Sequence, residues 1–154
     1  MITAKTLAQK LILKRKTLAT AESCTGGLVA HTLTNIPGSS DFFMAGIVSY
    51  ANTSKTQLLG VSPLLIKKHG AVSAVVAKAM AEGVRKRIKT DFGIGITGIA
   101  GPTGGTPKKP VGLVFIAVAA SPRTVVKKFI FKGTRLQVKQ KAVQKTFFIL
   151  NNFL

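Results

Sequence analysis

Three short segments hold the residues able to do chemistry. Thr20–Gly27 reads T-A-E-S-C-T-G-G and sets a serine and the only cysteine of the chain ahead of two glycines. Ser49–Lys55 reads S-Y-A-N-T-S-K and holds the only tyrosine, Tyr50, with Lys55 five residues on. Thr97–Gly105 reads T-G-I-A-G-P-T-G-G, with four glycines in nine residues, so its backbone can approach a ligand closely.

Elimination narrows what these segments can do. Glu22, Asp41, Glu82 and Asp91 are the only carboxylate side chains, so a two-carboxylate site is hard to assemble. The two histidines, His31 and His69, fall in no H-E-x-x-H pattern, and there is no C-x-x-C, Walker A or GxGxxG pattern. A metal-free reaction therefore needs a hydroxyl or thiol nucleophile with a lysine or histidine base. Neither metal nor organic cofactor is expected.

Each segment also has a plain structural reading. Ser23 is a common N-cap residue, and Gly26 and Gly27 suit close packing. The glycine-rich loop fits a surface turn, Tyr50 a rim aromatic, and Lys55 a solvated lysine. Cys24 is a rival nucleophile, since a helix N-terminus lowers a thiol pKa. As its base, His31 would lie roughly 12 Å further along the same helix at 1.5 Å per residue, which favours Cys24 as a packing residue.

The elements between the segments must position them. Thr3–Lys16 reads as a helix capped by Thr3, with Leu7 and Leu11 on one face. Thr17–Thr20 reads as a strand. A helix is expected from Ser23 to Thr34, stopped by Pro37-Gly38, which would set Ser23 at a helix N-terminus where free N–H groups favour negative charge. Phe42–Tyr50 reads as a strand, and Thr53–Leu59 and Pro63–His69 as helices. Ser73–Lys89 is the strongest helix, with Val76, Met80 and Val84 repeating on one face. Phe92–Thr97 is a strand, Gly98 to Pro110 a loop, and Gly112–Ala119 and Val125–Phe131 strands joined at Ser121-Pro122-Arg123. Leu136–Phe153 closes the chain as a helix. Strands interleaved with helices predict a single layered α/β/α domain over residues 1–154, and the late hairpin makes its sheet mixed. Segments at the ends of separate strands match where open α/β sheets bind ligands.

The chain carries 23 Lys+Arg against 4 Asp+Glu, a formal charge of +19. The basic residues are spread along the chain, and with one Tyr and no Trp no base-stacking platform interleaves them, so nucleic acid is not the expected partner. An anionic small substrate would be steered by such a field. The longest apolar run, Val111–Ala120, has 10 residues, about half of the ~20 a membrane-spanning helix needs. A lone cysteine, and an N-terminal stretch Met1–Lys16 without a continuous apolar segment, lead to a cytoplasmic expectation with no membrane partner.

Taken together and in order, the motifs resemble the CinA C-terminal domain family, whose stand-alone members are nicotinamide-nucleotide amidohydrolases. The resemblance rests on T-A-E-S-C-T-G-G at Thr20–Gly27, I-P-G-S-S at Ile36–Ser40 and S-Y-A-N-x-x-K at Ser49–Lys55. It continues through L-G-V at Leu59–Val61, H-G-A-V-S at His69–Ser73, T-G-I-A-G-P-x-G-G at Thr97–Gly105 and K-P-V-G at Lys109–Gly112, with Gly133 and Arg135 later. It implies hydrolysis of the carboxamide of nicotinamide mononucleotide to nicotinic acid mononucleotide and ammonia. It also implies catalytic roles for Ser23, Tyr50 and Lys55: Ser23 attacks, and Lys55 accepts its proton directly or through Tyr50. Thr25, Gly26, Gly27, Thr97, Gly98 and Gly101 are the expected oxyanion and substrate positions. Arg135, Ser39, Ser40 and Ser73 are the expected phosphate donors. The expected partners are this small molecule and further copies of the chain.

Overall fold

The computed structural model describes residues 2–154; Met1, where the N-terminal stretch begins, lies outside them. The Thr3 hydroxyl accepts from the backbone N–H of Thr6 and opens α1 (Ala4–Leu13), which buries Leu7, Ala8 and Leu11. There follow β1 (Leu18–Glu22), α2 (Leu28–Thr34), a 3-10 turn (Ser39–Asp41), β2 (Phe43–Val48), α3 (Asn52–Leu59) and α4 (Pro63–His69). The second half holds α5 (Ala74–Ile88), β3 (Phe92–Gly98), β4 (Leu113–Ala119), β5 (Thr124–Ile130) and α6 (Arg135–Asn151). Among the described residues no helix is long and apolar enough to cross a membrane.

The five strands make one sheet in the order β2-β1-β3-β4-β5. β1 runs parallel to both β2 and β3, whereas β4 is antiparallel to β3 and to β5. The sheet is therefore mixed, as the late hairpin predicts. Strand alternation divides the core. Leu18, Ile94, Ile96, Val114, Ile116 and Val118 pack with α1, α2 and α6 on one face. Ala19 and Ala21 pack with Val76, Met80 and Val84 of α5 on the other.

That second face is closed by glycine. A Cβ at Gly95 would strike the carbonyl oxygen of Ala77, and one at Gly93 that of Ala81. With small residues on both sides, the backbone of α5 lies directly on β3. The core of α5 is as its periodicity predicts, and Ser73 caps it by accepting from Val76 N at 3.4 Å.

One expectation is overturned. α2 starts at Leu28, not at Ser23, and β1 continues to Glu22. Gly26 and Gly27 take φ of +61° and +93°, left-handed values that cannot propagate a right-handed helix. Ser23–Gly27 is thus a turn between strand and helix.

Candidate active site

β1, β2 and β3 are parallel neighbours, so their carboxyl ends lie together at one edge of the sheet. Ser23 follows β1, Ser49 and Tyr50 follow β2, and Thr97 to Gly101 finish β3 and turn away from it. These ends, with the first turns of α3 and α6, enclose a cleft of ≈ 290 Å³.

α3 begins directly beyond β2 and turns Lys55 back into the sheet edge. Lys55 is only 1% exposed, the most buried of the cations. Its Nζ lies 3.1 Å from Ser23 Oγ, 2.8 Å from the Ser49 carbonyl and 3.1 Å from the Tyr50 carbonyl. Burial pushes its pKa below the ordinary lysine value, against a smaller opposing effect of Cys24. Once neutral, the amine has two N–H groups for the two carbonyls and one lone pair, which is left for the Ser23 hydroxyl. Ser23 is fixed in turn: it is 8% exposed and its backbone N–H donates to Ile96 O at 3.0 Å.

Glu22, to which the sequence reading gave no role, organises the turn. It is 1% exposed and accepts from the N–H groups of Gly27 and Val29, each at 3.1 Å, and of Ala30 at 2.9 Å. These are the free donors of the α2 N-terminus, so the helix end expected to stabilise an oxyanion is already occupied by an internal anion. The N–H groups of Cys24 and Thr25 donate to no backbone carbonyl, and they follow Ser23 directly. Of the two residues, Cys24 lines the cleft. A carboxylate a few residues before a helix start is the signal the sequence offers for this role, masked by Ser23, which looks like the helix cap.

Cys24 belongs to the main core, and burial pushes its thiol up to about 12. A thiol held protonated is a poor nucleophile. His31 is exposed and bonds Asn35, far from any base role at Cys24.

Tyr50 is 59% exposed. Its hydroxyl accepts from Arg135 Nη2 at 2.8 Å, and Arg135 Nη1 donates to Gly101 O at 2.9 Å. Arg135 thus ties the start of α6 to the glycine-rich loop and to the end of β2. Lys55 meets the Tyr50 carbonyl rather than its phenol, so Ser23 Oγ and Lys55 Nζ touch directly, without a tyrosine between them.

Of the residues singled out from sequence, Ser23, Cys24, Tyr50, Lys55, Thr97, Gly98, Gly101 and Arg135 line the cleft, and Asn52 joins them. Thr97 Oγ1 donates to Ala71 O at 2.8 Å and fixes the Ala71–Val72 wall. Thr25, Gly26 and Gly27 form the turn behind Ser23 and do not line the cleft. Ser73 is spent as the α5 cap, bonding Gly70 O at 2.9 Å. Ser39 and Ser40 sit before β2, whose six residues separate them from the cleft by roughly 20 Å at ~3.3 Å per residue. The phosphate role expected of them does not fit this chain's own cleft, because motif order carries no information about which strand end a residue occupies.

The chain is a three-layered α/β domain with a buried serine–lysine pair at the ends of its parallel strands. It matches the CinA C-terminal domain family model over residues 2–154, and it belongs to that family. A CinA-like protein of Acidobacterium capsulatum is 52% identical over 135 residues, 88% of this chain and 33% of the relative. One of Gemmatimonas aurantiaca is 53% identical over 128 residues, 83% of this chain and 30% of the relative. The chain therefore spans about a third of the length of these curated relatives. Among solved structures, a competence-damaged protein (CinA) superfamily protein from Escherichia coli superposes with a TM-score of 0.93 at 34% identity, covering 99% of this chain and 91% of that one. A competence/damage inducible protein from Agrobacterium tumefaciens gives 0.92 at 35% identity, covering 99% and 98%.

Proposed function

We propose that the protein is an amidohydrolase that deamidates nicotinamide mononucleotide through a Ser23 acyl-enzyme. The observation that carries this reading is the 3.1 Å contact between Ser23 Oγ and the buried Nζ of Lys55, an amine whose pKa is lowered by burial. The substrate comes from the family resemblance, and an open cleft that carries cations and no carboxylate suits an anionic nucleotide.

In the proposed reaction Lys55 takes the Ser23 proton while Oγ attacks the carboxamide carbon. The Cys24 N–H, next to Ser23 at the wall of the cleft, is the donor for the tetrahedral oxyanion. Collapse breaks the C–N bond, and the Lys55 ammonium returns its proton to the leaving nitrogen, releasing ammonia. Water then attacks the acyl carbon, giving its proton to Lys55; breakdown returns that proton to Ser23 and frees the acid.

Ammonia release from nicotinamide mononucleotide tests this. Ser23→Ala and Lys55→Met should each lose about 10²-fold or more in kcat, while Cys24→Ala keeps most of the activity. Absence of ammonia with the wild type, or full activity in Ser23→Ala, would sink the proposal.

A further inference from the structure

A cavity of ≈ 370 Å³ lies between the last turns of α6 and the outer strand β5, and it shares no residue with the cleft. α6 packs over β4 and leaves Val125 and Phe129 of β5 only half-buried. The β5 row that lines the cavity is Val125, Lys127 and Phe129, paired with the buried Val118, Ile116 and Val114 of β4. Paired side chains share one face of a sheet, so Lys127 stands where the core pattern asks for an apolar residue. Lys128, the next residue, belongs to the opposite face and does not line the cavity.

Arg123 and Lys145 line the same cavity, and no carboxylate does. The ion pairs among the described residues, Lys16–Asp91 and Lys78–Glu82, include none of these three cations. Two of them rest on rings instead. The Arg123 guanidinium lies 4.8 Å from the Phe153 ring centroid, and Lys145 Nζ lies 5.9 Å and 5.8 Å from those of Phe129 and Phe148. Phe148 is 55% exposed, a large ring left in water beside these charges.

We infer that this cavity binds a small aromatic carboxylate, its ring against Phe129, Phe148 and Phe153 and its charge met by Lys127, with Arg123 and Lys145 at the rim. Aromatic walls take a planar body, and three unpaired cations take an anion. The volume falls within the about 300–1,000 Å³ of small-molecule sites. A second copy of a chain of +19 would bring like charge to the same rim, which excludes it as the occupant. The inference goes beyond the amidohydrolase reading and does not depend on it.

Calorimetric titration with naphthoate tests the site. Wild type should bind it saturably at millimolar concentration or below. Lys127→Met should weaken binding about tenfold, the worth of one charge-assisted contact, and Lys127→Arg should restore most of it. Lys128→Met removes the same charge from the other face of the same strand and should bind as wild type does. Naphthalenemethanol, a similar ring without the charge, should bind more weakly and respond little to Lys127→Met, whereas Phe148→Ala should weaken both ligands. An equal loss in Lys127→Met and Lys128→Met would mean that the field of the whole molecule attracts any anion, and overturns the inference. So does full naphthoate affinity in Lys127→Met, the result expected if that lysine only guards the sheet edge against pairing. A wild type that shows no saturation overturns it as well.

Discussion

Lys55 is held by three acceptors in a place where its charge is least welcome, and its pH behaviour follows. The proposed reaction needs the neutral amine. Because burial lowers its pKa, kcat/KM should rise with pH through an apparent pKa below the ~10.4 of an ordinary lysine and then level off. A profile that still climbs past pH 10 would mean that Lys55 titrates as a solvated lysine. Glu22 makes a second residue-scale prediction. Glutamine has one acceptor oxygen where the carboxylate serves three N–H groups, and its amide N–H₂ would face another donor. Glu22→Gln should cost about 3 kcal/mol in urea unfolding and misplace the Ser23–Cys24 turn, lowering kcat with it. Sequence alone narrowed the nucleophile to Ser23 or Cys24. The pairing of Ser23 with Lys55, 32 residues away, came only with the family resemblance, because spacing does not encode which strand ends meet.

At the scale of elements, the order and type of helices and strands were readable because each carries its own period and its own stop. Ser73 capping α5, Thr3 capping α1 and the Ser121–Arg123 turn are local signals. The start of α2 is not legible in the sequence because a serine and an apolar run look like a helix entry, while two left-handed glycines in between cancel it. The alternation of Gly93 and Gly95 was also silent. Its meaning appears only when Ala77 and Ala81 of α5 are laid against it. The opposing atoms are backbone, which cannot rotate out of the way, so Gly95→Ala should exceed the usual overpacking cost of about 1–3 kcal/mol. A urea midpoint falling with an unchanged m value would show that cost as a plain loss of stability. A midpoint equal to wild type would mean that α5 slides freely on β3.

The whole molecule carries a formal +19, and its four side-chain carboxylates are given to structure rather than to the cleft. Glu22 caps α2, and Glu82 accepts from the Thr124 hydroxyl at 2.7 Å. Asp91 bridges Lys16 and Thr17; burial pushes its carboxyl up, but those bonds outweigh it and hold it below the usual range. Asp41 lies in the 3-10 turn at the far end of β2. Positive charge is therefore nearly unopposed over the surface, with two consequences of opposite sign. Like charges repel across the folded molecule, so screening them should raise the melting temperature. In the proposed reaction the same field draws the anionic substrate toward the cleft that Arg135 lines, so screening should lower kcat/KM. One sodium chloride titration separates the two. Between about 10 mM and 150 mM salt the Debye length shrinks from ~30 Å to ~8 Å, and over that range Tm should climb while kcat/KM for the nucleotide falls and that for the phosphate-free riboside stays level. If both substrates respond alike, the charge acts on the fold and not on capture, and the basic surface has no part in choosing what enters the cleft.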